Sequence, residues 1–237
     1  MLNRHIVKTL AIGLLVLATP IYAGNVNKSI SIESGNESDA QSTVNGSISV
    51  GSDATVTGSL KTVNGAIRVG DGSRVKALQT VNGSIKLGSN AVSADITGVN
   101  GSIRLGGGAV VEGGVTVVNG RISALEGVRI RGDVSSVNGQ LEFKQSEIGG
   151  DLTTVNGDIL LSDQTLLKGD LVVEKPSGWN WKGQRKPRVV IGPGATVQGQ
   201  IRLEREVELY IHESAAVGGV SGEMTMAEAV RFSGDQP

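Results

Sequence analysis

The feature that most constrains this chain is a period. Taking the asparagine of each Val-Asn-Gly or its equivalent as a marker gives Asn27, Asn45, Asn64, Asn82, Asn100, Asn119, Asn138 and Asn156, with steps of 18, 19, 18, 18, 19, 19 and 18 residues. A degenerate ninth copy is read at Val173–Lys175. A repeat this regular identifies a solenoid-type architecture before any single element is assigned. It also makes an isolated hairpin with a type I′ turn, the other meaning of Asn-Gly, a poor account of eight copies in register.

Residues within one period fall into columns. One is Val26, Val44, Val63, Val81, Val99, Val118, Val137, Val155 and Val173. The next is Ile30, Ile48, Ile67, Ile85, Ile103, Ile122, Leu141 and Ile159, and two residues further come Ile32, Val50, Val69, Leu87, Leu105, Ala124, Phe143 and Leu161. Spacing by two places side chains on one strand face, so all three columns are expected to stack inward. The β-branched content and the short period exclude helix-pair repeats, which need more than 30 residues and helix formers. Eighteen or nineteen residues suffice for three short strands and three corners. The expected fold is therefore all-β: a parallel β-helix, or three-faced β-solenoid, of about ten coils. At about 4.8 Å per coil it makes a rod roughly 50 Å long.

Asparagine and glycine tolerate positive φ. The pairs Asn45-Gly46, Asn64-Gly65, Asn82-Gly83, Asn100-Gly101, Asn119-Gly120, Asn138-Gly139 and Asn156-Gly157 are accordingly expected to turn a corner and to stack as a hydrogen-bonded asparagine ladder. In the third column Ala124, the smallest member, adjoins Phe143, the largest, which keeps the interior filled.

Residues 1–23 read as a secretory signal peptide: Arg4, His5 and Lys8 precede the apolar run Leu10 to Thr19, and "IYA" ends at Ala23. The expected organisation is a signal peptide over 1–23, the solenoid over 24–220 and a tail or cap over 221–237. The mature product is expected to be exported, periplasmic or extracellular, with no integral membrane segment after cleavage. The chain has no cysteine, so packing and not disulfides must hold it. A net charge of −1 gives no general attraction to nucleic acid, and nucleic acid is not an expected partner.

The regularity breaks at the insertion 176–188, "PSGWNWKGQRKPR", which holds both tryptophans. Solenoid insertions form loops on the side of the rod, and tryptophan with arginine is the make-up of binding hot spots. Trp179, Trp181, Lys182, Arg185, Lys186 and Arg188 are the candidate binding loop for an envelope glycan or protein partner. The competing reading lays the tryptophans on the solenoid wall and leaves the cations solvated. A second irregularity is the outward column Arg68, Lys86, Arg104. Its cations are either screened by flanking serines and acids, or form a docking stripe for an anionic polymer.

Chemistry finds little footing. His212 is the only histidine beyond the signal segment. Without a long lid loop it is expected to be a surface or capping residue, not the base of an acyltransferase of the hexapeptide-repeat class. Asp53, Asp71, Asp133, Asp151 and Asp170 are read as keeping no single register, which argues against a calcium array. No catalytic residue, metal site or cofactor is expected. "VVIGPGATVQGQIRLEREVELYIHESAAVGGV" at Val189–Val220 and "ISVGSDATVTGSL" at Ile48–Leu60 resemble the bactofilin, or polymer-forming cytoskeletal, family. That resemblance implies a right-handed β-helix that self-associates end to end without nucleotide. The chain departs from the family in its signal segment and its Asn-Gly corner. It also looks like exported adhesin-like β-solenoid domains of unknown function. The functional expectation is a non-catalytic scaffold of the bacterial envelope that self-associates through its coil ends, or else a binding module working through the loop.

Overall fold

A computed structural model describes residues 26–176 and 185–237. The segment read as a signal peptide lies outside the described residues, as do Trp179, Trp181 and Lys182. The described chain winds into a parallel β-solenoid with three faces. The first is an 11-stranded sheet running from Ile30–Ile32 to Val230–Phe232. The second has 10 two-residue strands, from Glu37–Ser38 to Ala216–Val217, and the third has 10, from Gln41–Thr43 to Val220–Gly222. Every strand pairs in parallel with its counterpart one coil away, Ile48 beside Ile67 and Ile67 beside Ile85, for example. Each coil thus satisfies its backbone through its neighbours.

The two apolar columns of the first face point inward as expected, and most members are closed to solvent. Ala124 lies between Leu105 and Phe143 in register, and all three are buried. Most of the valine column does not point inward, Val155 being buried at 8% exposure. Val44, Val63, Val81, Val99, Val118 and Val137 are only half-buried, and Val26 is exposed. The inward positions of the third face are instead the residue before each valine and the one two places earlier: Leu60 and Thr62, Leu78 and Thr80, Ile96 and Gly98, Val115 and Val117. Strand alternation allows only one of two adjacent β-branched residues to face the core, and threonine takes that place because its hydroxyl has a partner there. Thr62 Oγ1 donates to the Gly46 carbonyl at 2.8 Å and Thr80 Oγ1 to the Gly65 carbonyl at 3.2 Å. The ninth copy is likewise shifted by one: Val173 pairs with Thr154 and is inward.

The corner meets the expectation of positive φ only in part, at Gly101 and Gly139 with φ of 149° and 139°. The repeat asparagines are not in the left-handed region. Asn64, Asn82, Asn100, Asn119 and Asn138 end extended strands. Their glycines are needed because consecutive coils touch there. A Cβ on Gly83 or Gly120 would stand closer than 3.0 Å to the carbonyl oxygen of Gly65 or Gly101 on the preceding coil. The left-handed corner lies between the first and second faces, where Asp53, Gly72, Asn90, Gly108, Gly127 and Gln145 have φ from 46° to 76°. Asp95, Asp133, Asp151 and Asp170 share a position at the third corner, while Asp53 and Asp71 lie at the left-handed one, so the five aspartates read from the sequence keep no single register. Each of the four at the third corner uses Oδ1 to accept a backbone N–H of the next coil: Gly114 at 2.9 Å, Asp151 at 2.9 Å, Asp170 at 2.8 Å and Gln200 at 2.8 Å.

The segment 221–237 continues the solenoid. Val230–Phe232 is the last strand of the first face, paired with Glu208–His212. Met224, Met226 and Ala229 lie against the end of the core, while Val230 stays 53% exposed.

Candidate functional site

The asparagine ladder is present. Nδ2 of Asn45, Asn64, Asn82, Asn100, Asn119, Asn138 and Asn156 each donates to Oδ1 of the preceding asparagine, at 2.8 to 3.0 Å throughout. All the amides point the same way, so each bond polarises the next. They are used up in holding coil to coil and offer no reactive group. The ladder ends where the chain leaves the rod after Val173, and the site of interest is this exit.

Five charged residues organise the exit. Asp158 sits just before the strand Ile159–Ser162, at a corner position that other coils fill with Ser84, Ser102 or Gln140. Its Oδ1 accepts from the Arg188 backbone N–H at 2.8 Å and from Arg185 Nη1 at 3.0 Å, while Oδ2 accepts from Arg185 Nη2 at 2.8 Å. This is the bidentate fork that arginine forms best, and it raises the Arg185 pKa, through the hydrogen bond first and the charge second. Lys186 pairs with Glu206 at 2.6 Å, which raises the lysine's pKa and lowers the glutamate's. Arg188 stacks over the Tyr210 ring at 4.8 Å and donates to the Pro237 main-chain oxygen at 3.0 Å. Arg188 opens the strand Arg188–Ile191, so it belongs to the rod and not to the insertion.

The three described cations of the candidate loop are therefore fastened to the rod, not free for an anion. A groove of about 510 Å³ runs beside them along the first face, walled by Glu142, Lys144, Asp158, Asp163, Arg188 and the segment Asp235–Pro237. Its charges are largely matched within the chain, Lys144 with Asp163 at 3.2 Å among them.

Two residues that the repeat pattern does not single out complete the exit. Arg205 is buried. It donates from Nη1 to Asn156 Oδ1 at 2.8 Å and from Nη2 to the Arg185 carbonyl at 3.2 Å. Glu174 stands one coil beyond Val155, since its N–H donates to the Thr154 carbonyl at 2.8 Å. Only 1% of Glu174 is exposed, and neither carboxylate oxygen has a hydrogen-bond partner. Burial, then the nearby Glu204 charge, raise its pKa to about 7, with Arg202 opposing. The local signal for both was a charge inside an alternating apolar strand, "LVVEK" and "IRLER".

Elsewhere, His212 Nδ1 accepts from the Ser214 N–H at 3.0 Å and its ring meets Phe232 edge-on with centroids 5.0 Å apart. Those are packing contacts. Among the described residues no three His, Cys, Asp or Glu side chains converge as metal ligands, and no helix is long and apolar enough to cross a membrane. The column Arg68, Lys86, Arg104 is in register as expected, with all three exposed. Comparison with protein-family models, curated proteins and solved structures finds no match to this chain.

Proposed function

We propose that this chain is a non-catalytic structural rod of the bacterial envelope that self-associates through its coil ends. The observation that carries the reading is the difference between the two described ends. At the first coil, Asn36, Ser38 and Gln41 occupy the positions that Ala54, Val56 and Leu60 fill one coil later, and Gln41 Nε2 donates to Ser38 Oγ at 3.0 Å. Such a polar coil is how a repeat array ends against water. The last coil is apolar: Ala215, Val217, Val220, Met224 and Met226 pack on the core while remaining partly open. An apolar end with unpaired strand edges is a template for a second chain, and two copies meeting there would form a closed two-fold pair of rods. The likeness to the polymer-forming cytoskeletal family points toward end-to-end contact as well. Sedimentation velocity of the purified protein, with electron microscopy, tests this. Rods of doubled length are expected, reverting to single rods in Val220→Lys/Met226→Lys. A strictly monomeric wild type at high concentration would refute it.

A second reading is favoured by the fastening of Arg185, Lys186 and Arg188, which fixes where the loop carrying Trp179 and Trp181 leaves the rod. On that reading Trp179 and Trp181 bind an envelope glycan. Trp179→Ala/Trp181→Ala should then stop co-sedimentation with purified peptidoglycan sacculi and leave the circular dichroism unchanged. Undiminished sedimentation rejects it.

A further inference from the structure

We propose that the first face carries a second, separate site: a cationic track, Arg68, Lys86, Arg104 and Arg121, that binds a linear acidic polysaccharide laid along the rod. The first three side chains occupy one outward column on consecutive coils, in direct register. Arg121 follows one coil later, two residues before Ser123, which pairs with Arg104. Two outward residues separated by two share a strand face, so the fourth cation extends the track.

What sets these residues apart is that they stack on one another without partners; Lys61 and Arg74, also without an ion pair, stand beside Gln79 and Val92 instead. Several cations elsewhere on the rod answer acids on neighbouring coils: Arg129 with Glu147, Arg131 with Glu112, Lys144 with Asp163, Lys168 with Glu147, Arg202 with Asp170. No ion pair or side-chain hydrogen bond to Arg68, Lys86, Arg104 or Arg121 is present among the described residues. Asp71, on the same coil as Arg68, accepts the Ser89 N–H at 2.7 Å, and the first acid in the column itself is Glu142, beyond Ser123. Like charges stacked in register oppose folding, and no acid stands between Arg68, Lys86 and Arg104 in their column.

The bed of the track fits a polymer. Ser84 and Ser102 flank it on one side and Gly70, Gly88 and Gly106 on the other, so nothing bulky stands between the cations and a chain running over them. The charges recur once per coil, about every 4.8 Å, along a line, which suits a regularly charged linear polymer and not a compact anion. Sequence-tolerant binding of single-stranded nucleic acid needs aromatic platforms for its bases. These coils carry no aromatic residue between Asn64 and Ile122, while serine hydroxyls and backbone can serve sugar hydroxyls.

The test uses the purified protein with polygalacturonate, neutral dextran and poly-dT, titrated at several salt concentrations. Wild type should bind polygalacturonate, weaken steeply as salt rises, and ignore dextran. Arg68→Ser/Lys86→Ser/Arg104→Ser should bind at least ten-fold more weakly with a shallower salt dependence. Lys61→Ser/Arg74→Ser/Lys76→Ser, with equal charge removed from the other faces, should bind like wild type. Equal loss in both triple variants, or poly-dT binding as tight as polygalacturonate, overturns the proposal. Because a triple variant can fail to fold, amine labelling of the wild type gives an independent readout. Polygalacturonate should protect Lys86 and leave Lys61 reactive, and equal reactivity of Lys86 with and without polymer also overturns it.

Discussion

Arg205 closes the asparagine ladder: its guanidinium donates to Asn156 Oδ1 at 2.8 Å, at the end of seven amide bonds that all run the same way. Every amide donates toward the first coil, so the row presents its oxygen end at Asn156, where a cation is favoured as it is at the carbonyl end of a helix. The same side chain reaches the Val155 and Arg185 carbonyls, and so bridges the gap that the insertion leaves in the corner. Arg205→Met keeps the apolar stem but strands these acceptors. It should cost about 1–3 kcal/mol, seen as a lower urea midpoint, with faster proteolysis between residues 176 and 187.

The repeat glycines separate two reasons for glycine. Gly120 is outside the left-handed region, and a Cβ there would collide with the Gly101 carbonyl; Gly35 has φ 73° with nothing within 4 Å of an added Cβ. Gly35→Ala should cost about 1–2 kcal/mol, the penalty of an alanine held left-handed. Gly120→Ala forces two coils apart and should cost about 3 kcal/mol or more. Thermal unfolding of both variants checks the order, and a larger loss for Gly35→Ala would show that conformation, not contact, sets the corner.

Much of the architecture was legible because a period of 18 or 19 residues with inward pairs such as Ile67 and Val69 leaves only a three-faced coil. What was misread depends on contacts between coils. The dipeptide Asn-Gly carries a local preference for positive φ, and nothing in it shows that Gly65 and Gly83 lie against each other's backbone. In "LKTVN" both Thr62 and Val63 suit a strand, and Leu60 two residues before Thr62 was the clue to which faces inward. Pro176 marked the break, but the one-residue shift that puts Glu174 in the place of a valine requires the register itself. Asp158 and Arg205 lie 47 residues apart in sequence, so their convergence on Arg185, one on its guanidinium and the other on its carbonyl, was beyond any local pattern.

That register is directly testable at adjacent residues. Thr80 is buried with its hydroxyl on the Gly65 carbonyl, whereas Val81 is half-buried. Thr80→Val removes a donor from a buried carbonyl and should cost about 1 kcal/mol. Val81→Thr should stay within about 0.5 kcal/mol of wild type. Valine-inward packing would demand the reverse order of urea midpoints.

Glu174 makes stability depend on pH in an unusual direction. Its carboxyl is closed to water with no hydrogen-bond partner, and its pKa rises from 4.5 to about 7 through burial and the Glu204 charge. The folded state therefore holds this proton more tightly than the unfolded chain does. Stability from this group is full below about pH 4.5 and is lost as pH climbs toward 7, the opposite of a salt-bridged carboxylate. Because the carboxyl is closed to water, the loss is on the order of 3 kcal/mol, the value of a shift of this size. Glu174→Gln keeps the shape and cannot ionise. Measured against wild type by urea unfolding, it should be nearly equal at pH 4.5 and more stable at pH 8. A gap that stays constant between those two pH values would mean that Glu174 is already ionised or already solvated in the folded rod.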